Sequence, residues 1–137
     1  MKTPAHDTAL YLADLSGFGP FGGNVDWSVY VGREPIASDS LVNTVTVYDT
    51  GGDAPSLIPS IRRPTIQVRV RSDAYNAGWQ KAHEAFTQLW RPTSVQVDGG
   101  KIISWVPQGD VTFIGRDDRD HSLFTVNFIA RTEQDAA

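Results

Sequence analysis

The densest group of side chains able to do chemistry is the run from Arg116 to His121, which reads RDDRDH. Its potential ligands for a hard or borderline divalent metal are Asp117, Asp118, Asp120 and His121. The spacing of a calcium-binding EF-hand loop is missing, and the alternating arginines offer these carboxylates local partners. We therefore interpret the run as a solvated hairpin turn without a metal, and keep a small metal-dependent enzyme as the less favoured alternative.

The other candidates for catalysis are weak. His83 falls beside the aromatic residues of a predicted helix, where histidine is more often a packing or surface residue than a catalyst. No nucleophile elbow or Ser/His/Asp spacing is present. The glycine-rich stretch 17–24, GFGPFGGN, has neither the GxGxxG pattern nor the lysine of a phosphate-binding loop. We predict no catalytic residue, metal or cofactor, and a protein that is not an enzyme.

Four arginines, Arg62, Arg63, Arg69 and Arg71, form the main basic feature. The net charge of −4 and the lack of aromatic residues between these arginines argue against a nucleic-acid-binding module. Charge complementarity across a subunit interface fits better. We expect the polar strand face that carries Arg69 and Arg71 to meet the acidic turn of a neighbouring copy, with its residues Asp117, Asp118 and Asp120.

The central unit that must position these residues runs from Arg62 to Trp90. Apolar residues at 66, 68 and 70 alternate with polar ones, as in a strand with one buried face. Ser72 is a candidate N-cap for the helix that follows. The predicted buried stripe of that helix is Tyr75, Trp79, Ala82, Phe86 and Leu89.

The remaining elements surround this unit. Thr3-Pro4 predicts the start of a short helix, and alternation predicts strands near 25–31 and 43–49. A hairpin is expected around Asp98-Gly99-Gly100, a second turn at 107–110, and a final strand pair at 111–115 and 123–131. Residues 132–137 read as a frayed tail. The order predicts an α+β single domain, residues 1–137, with helices on one face of a largely antiparallel, possibly mixed sheet.

The stretch from Thr50 to Arg63 is predicted to be a long loop, and long loops in small domains are often functional. Gly32 to Leu41 is the second such loop. The residues that we expect to act in docking to a partner are Thr50, Gly51, Gly52, Asp53, Leu57, Ile58, Arg62 and Arg63.

Length and composition fit a single globular domain of 137 residues. Cysteine is absent, which excludes disulfides and thiolate metal sites. No apolar run approaches the roughly 20 residues needed to cross a bilayer, and the first residues lack the apolar region of a signal peptide. We expect a protein made in a cytoplasm, without a membrane partner.

Three runs carry a resemblance to a known family: VYDTGG at 47–52, RPTIQVRVRSDAYNAGWQKAHEAFTQLW at 63–90, and VPQGDVTFIGRDDRDHSLFTVNFIART at 106–132. Together and in this order they resemble the phage minor capsid and tail terminator family. The resemblance covers most of the chain from Val25 onward.

The resemblance implies a structural virion protein with an α/β sandwich fold. Proteins of this kind are similar to those that form a hexameric ring at the head-proximal end of a long phage tail, in the tail–neck region of the virion. The implied partners are other copies of the chain, the tail tube protein and the head-completion protein, with genomic DNA only passing through the lumen. Synthesis would take place in the host bacterial cytoplasm. Another neck or tail component, such as a tube protein or a head–tail connector, is the alternative.

Overall fold

The computed structural model describes residues 3–14, 18, 27–33, 42–52, 61–90, 95–96 and 102–133. These residues form two helices and eight strands. In chain order they are α1 (Pro4–Ala13), β1 (Ser28–Val31), β2 (Thr44–Gly52), β3 (Ile61–Arg62), β4 (Pro64–Ser72), α2 (Tyr75–Trp90), β5 (Val95–Gln96), β6 (Ile102–Pro107), β7 (Thr112–Arg116) and β8 (Ser122–Glu133).

The strands form one sheet in the order β1-β2-β4-β8-β6-β5, with β3 and β7 also paired to β8. β1 is parallel to β2, and every other described pair is antiparallel. The predicted α+β class with a mixed, largely antiparallel sheet is therefore confirmed. The pairing of β5 with β6 also confirms the two arms of the predicted hairpin, whose turn at 98–100 lies outside the described residues.

One predicted turn is wrong. β6 and β7 both run antiparallel to β8, and Gln108 N donates to Asn127 O at 2.9 Å between the two segments. Residues 108–111 therefore form an irregular insertion along one strand direction and do not reverse the chain. The chain turns back only at 117–121, between β7 and β8.

The core lies between the sheet and the two helices, which pack on the same face. The apolar residues predicted to face inward on β4 and β8 are all fully buried, and so are their counterparts on β2. They are Val45, Val47, Ile66, Val68, Val70, Phe124, Val126, Phe128 and Ala130. Strict alternation places them on one side of the sheet, because neighbouring side chains of a strand point to opposite faces.

Helix α1 begins as predicted. Thr3 is its N-cap, with Oγ1 accepting from His6 N at 3.2 Å, and Pro4 occupies the first turn. Asp49 Oδ1 accepts from Ala5 N at 3.0 Å, which ties the helix N-terminus to β2. Thr8 of this helix is buried beside the apolar Ala5, Ala9 and Leu12, and its Oγ1 accepts from Trp105 Nε1 at 2.9 Å.

Helix α2 is rotated relative to the prediction. Its buried residues are Gly78, Lys81, Ala82, Ala85 and Leu89. Ala82 and Leu89 of the predicted stripe are thus buried, whereas Tyr75 and Trp79 are 46% and 43% exposed. The Tyr75 ring still contacts the Phe124 ring of β8 edge to face at 5.2 Å. Small residues face the sheet instead and let the helix approach closely: a Cβ at Gly78 would lie 2.7 Å from the Phe124 ring.

The start of α2 also differs from the prediction. Ser72 is the last residue of β4, and its Oγ accepts from Ala74 N at 3.2 Å. The first helical hydrogen bond joins Gly78 N to Ala74 O at 3.0 Å. Ser72 therefore shapes the strand-to-helix turn, and Ala74 occupies the N-cap position.

Lys81 is buried although it lies on a helix. Its Nζ is 4.7 Å from the centroid of the Phe18 ring and 5.1 Å from that of the Trp27 ring. Glu84 Oε2 lies 3.2 Å from the same nitrogen. The two rings and the carboxylate compensate for the loss of water around the ammonium group.

The end of the chain departs from the predicted frayed tail. Thr132 and Glu133 belong to β8 and pair with both β3 and β6, and Thr132 is buried. Residues 134–137 lie outside the described residues. Among the residues that are described, none belongs to a helix long and apolar enough to cross a membrane.

Candidate functional site

The acidic turn between β7 and β8 is organised by Asp117. Its Oδ1 accepts from the backbone N–H groups of Arg119 and His121, each at 2.9 Å, and Oδ2 accepts from His121 Nδ1 at 3.0 Å. Asp120 adopts a left-handed backbone conformation with φ of 65°, which aspartate tolerates in tight turns. Its carboxylate lies 3.7 Å from Arg116 Nη1 in an exposed ion pair.

These contacts lower the pKa of Asp117. Partial burial alone would raise the pKa of this carboxyl group, but the hydrogen bonds from the His121 backbone and ring and from the Arg119 backbone outweigh it. The ionised form is therefore the one that the folded turn prefers.

Asp118 and Asp120 do not converge with Asp117 and His121 on a common point. In the part of the chain that the structure describes, no group of three or more His, Asp or Glu side chains could hold a metal ion. An open groove of about 600 Å³ lies elsewhere, beside α1. None of the predicted site residues lines it; its lining is Asp7, Leu10, Tyr11, Ala13, Asp14, Val95 and Gln96.

The predicted basic half of the interface needs correction. Arg71 is only 3% exposed, and its Nε donates to Val42 O at 2.9 Å. Arg69 is half-buried and has contacts of its own. The face of the sheet opposite the helices is covered at this end, where Thr44, Thr46 and Thr125 are also buried. Arg71 therefore has a structural role and is not available to a neighbouring copy.

The two predicted halves also do not lie on separate surfaces. Arg71 pairs in register with Leu123, which follows the acidic turn by two residues. The turn and the end of β4 thus share one end of the sheet. Two other exposed arginines lie at the opposite end of the sheet: Arg63 sits between β3 and β4, and Arg131 is near the end of β8.

The predicted docking loop is shorter than expected. Thr50, Gly51 and Gly52 belong to β2, where a register shift and a φ of 97° at Gly51 mark a bulge. Thr50 Oγ1 lies 2.8 Å from Thr65 Oγ1 of β4. Arg62 belongs to β3, and Arg63 is exposed next to it. The remaining predicted docking residues, Asp53, Leu57 and Ile58, lie outside the described residues, as do residues 34–41 of the second loop.

An exposed apolar surface on α2 and β7 is not predicted from the sequence. Tyr75 and Trp79 on α2 and Phe113 and Ile114 on β7 are all exposed, and the Tyr75 and Phe113 rings contact each other edge to face at 5.2 Å. His83 stacks on Trp79 at 5.0 Å and extends the row along the helix. The small residues at 78, 82 and 85 were the available signal, since they mark the side of α2 that approaches the sheet.

A comparison with protein-family models matches residues 11–134 of the chain to the bacteriophage tail terminator proteins. The chain belongs to this family. The match includes every strand of the sheet and all of α2. A comparison with curated proteins gave no match. As a member of this family, the chain is a structural component of the phage tail in the virion.

Proposed function

We propose that the chain caps the head-proximal end of a phage tail tube as a closed ring of six copies and joins it to the head-completion protein. The observation that carries this proposal is the family match over residues 11–134. The exposed apolar surface on α2 and β7 is consistent with it, because such surfaces commonly mark protein–protein contacts. The chain would act as a structural protein, made in the bacterial host and retained in the neck of the virion.

Termination of a tube is a problem of surfaces. A tube subunit offers the same contact to each new ring, so growth by such contacts has no natural end. A terminator must match the tube on one side and fail to match it on the other. We propose that the segment 53–60, together with Thr50 and Gly51 before it, docks to the tube or to the head-completion protein.

The test is a comparison of cells that produce the phage with and without this chain. We expect tails of abnormal length, or tails that do not join heads, when the chain is missing, and restoration when it is supplied in trans. Normal tails and infectious particles in its absence would contradict the proposal. Electron microscopy of the purified chain separates it from a tube protein, because a terminator stops at one ring whereas a tube protein forms long cylinders.

A further inference from the structure

The first observation is an apolar surface with an acidic rim. We call Tyr75, Trp79, Phe113 and Ile114 the aromatic surface; each of these large side chains is more than two-fifths exposed. Three exposed carboxylates border it in sequence: Asp73 precedes Tyr75, Asp110 precedes β7, and Asp118 follows β7. None of the three forms an ion pair with another described residue.

The aromatic surface includes a strand edge. Within the described residues β7 pairs only with β8, and no other described strand lies along its second edge, beside Phe113 and Ile114. An exposed edge strand with large apolar side chains is prone to non-specific pairing unless another chain covers it. This edge and the exposed side chains beside it are suited to a contact with another chain.

The second observation is a basic surface at the far end of the sheet. Arg62 pairs with Thr132 and Thr65 with Ile129, and this register places Arg63 opposite Arg131. Both arginines are exposed, and neither guanidinium group makes a hydrogen bond or ion pair with any described residue. Like charges directly opposite each other on adjacent strands destabilise a sheet, so this pair favours an acidic partner.

Apolar side chains lie next to these arginines. Val106 is exposed and pairs in register with the half-buried Ile129, and Ser104 pairs with Arg131. We call Arg63, Arg131, Val106 and Ile129 the arginine surface. Its charges are positive, whereas the three carboxylates that border the aromatic surface, Asp73, Asp110 and Asp118, are negative and form no ion pair within the described residues.

We infer that neighbouring copies in the ring contact each other head to tail, with the aromatic surface of one copy seated on the arginine surface of the next. This inference rests on the proposed ring. Two different, complementary surfaces on one chain generate a heterologous contact, which closes into a ring when the rotation between copies permits. The opposed charges set the partner and its orientation, and the apolar groups between them contribute most of the affinity.

Cross-linking tests the contact directly, because the natural chain contains no cysteine. The variant carries Ser104→Cys, opposite Arg131 of the arginine surface, and Asp118→Cys in the rim of the aromatic surface. Within one chain these positions lie near opposite ends of β8, about 30 Å apart at roughly 3.4 Å per residue, so a short thiol cross-linker cannot join them. The two single-cysteine chains are the controls. Tails are purified from cells that supply each variant in place of the natural chain.

We expect the double variant on these tails to form a ladder of cross-linked multimers, and both single variants to stay monomeric. A second arm reverses charges. Arg131→Glu and Asp118→Arg should each lower the amount of chain retained on tails about two- to fivefold, the range of an exposed or partly exposed ion pair. The chain with both changes should recover. Arg33→Glu and Asp14→Arg, which change exposed charges away from both surfaces, should have no effect.

The outcomes separate this inference from the proposed function. The contact is overturned if the double-cysteine chain sits on tails of normal length without cross-linking and the charge-swapped chain does not recover. The terminator role then remains intact. Natural chain that never associates with tails overturns the terminator role itself. Cross-links in the Ser104→Cys chain alone indicate a symmetric contact and also overturn the inference.

Discussion

Asp117 and Asp118 are adjacent carboxylates with different surroundings. Asp117 accepts three hydrogen bonds inside the turn, whereas Asp118 is exposed and accepts none from the described residues. The sequence RDDRDH gives no means of telling them apart, because the difference depends on how the backbone turns back toward Asp117. The pKa of Asp117 is lowered, which makes its contribution to stability dependent on pH.

We predict that Asp117→Asn lowers the free energy of unfolding by about 1 kcal/mol near neutral pH, since the hydrogen bonds are to a charged but partly exposed group. The pKa of Asp117 is lowered in the folded state from its ordinary value of 3.8. Its stabilising contribution is therefore complete above that value and is lost as pH falls through the folded pKa. Denaturant unfolding of both proteins across this range should show the difference shrinking in acid.

Asp118→Asn is the matched control, and it should change the unfolding free energy by less than about 0.5 kcal/mol at any pH. Equal effects of the two substitutions, or an Asp117→Asn difference that grows in acid, would contradict the assigned hydrogen bonds.

Arg71 shows the limit of alternation at the scale of the residue. The pattern correctly places it on the face of β4 opposite Ile66, Val68 and Val70. Alternation assigns a face but does not say whether that face is covered, and here the arginine is buried and bonded to Val42 O. Arg63 and Arg131 are exposed at the other end of the sheet. Alternation does not show that they lie opposite each other, because this depends on the pairing of β3 and β4 with β8.

At the scale of elements, the strands were predicted better than their junctions. Alternation identifies the buried faces of β4 and β8 because each has one apolar side. It does not distinguish a reversal from a bulge, so it predicts a turn where the structure has the insertion at 108–111 and a loop where β2 has its bulge at Gly51. Both features keep the chain in its strand direction, and only the register along the partner strand reveals this.

The orientation of α2 is not predictable from the sequence pattern for a similar reason. The predicted stripe assumes that the bulky apolar residues of the helix face the core. In α2 the small residues face the sheet instead, because the helix lies so close to it. Gly78 packs against Phe124 and Ser72, and only a residue without a Cβ fits there. The bulky Tyr75 and Trp79 are thereby turned outward.

We predict that Gly78→Ala destabilises the fold by about 1–3 kcal/mol, despite the higher helix propensity of alanine. The added Cβ would lie 2.7 Å from Phe124 Cε2 and 2.9 Å from Ser72 Cβ, so helix and sheet must separate. Gly109→Ala is the control, since nothing lies within 4 Å of its Cβ position. A Gly78→Ala protein with an unchanged or raised unfolding midpoint would show that α2 does not approach the sheet this closely.

For the whole molecule, one helix has two tasks. Leu89 is fully buried in the core, whereas Trp79 is exposed in the aromatic surface. The first residue should stabilise the subunit and the second should stabilise the assembly. Neither task is visible in the sequence, where both residues fall on the same predicted stripe.

We predict that Leu89→Ala lowers the unfolding free energy by about 2–5 kcal/mol, because it removes a buried side chain and leaves a cavity. Trp79→Ala should change it by less than about 1 kcal/mol, since the side chain is largely outside the core. Its effect should appear in assembly, where a buried interface tryptophan typically contributes about 2 kcal/mol or more, corresponding to roughly 30-fold weaker association. Unfolding in denaturant and the amount of chain retained on purified tails measure the two effects separately.

A Trp79→Ala chain that unfolds as easily as the Leu89→Ala chain would place Trp79 in the core. A Trp79→Ala chain that is retained on tails as well as the natural chain would remove the aromatic surface from the interface.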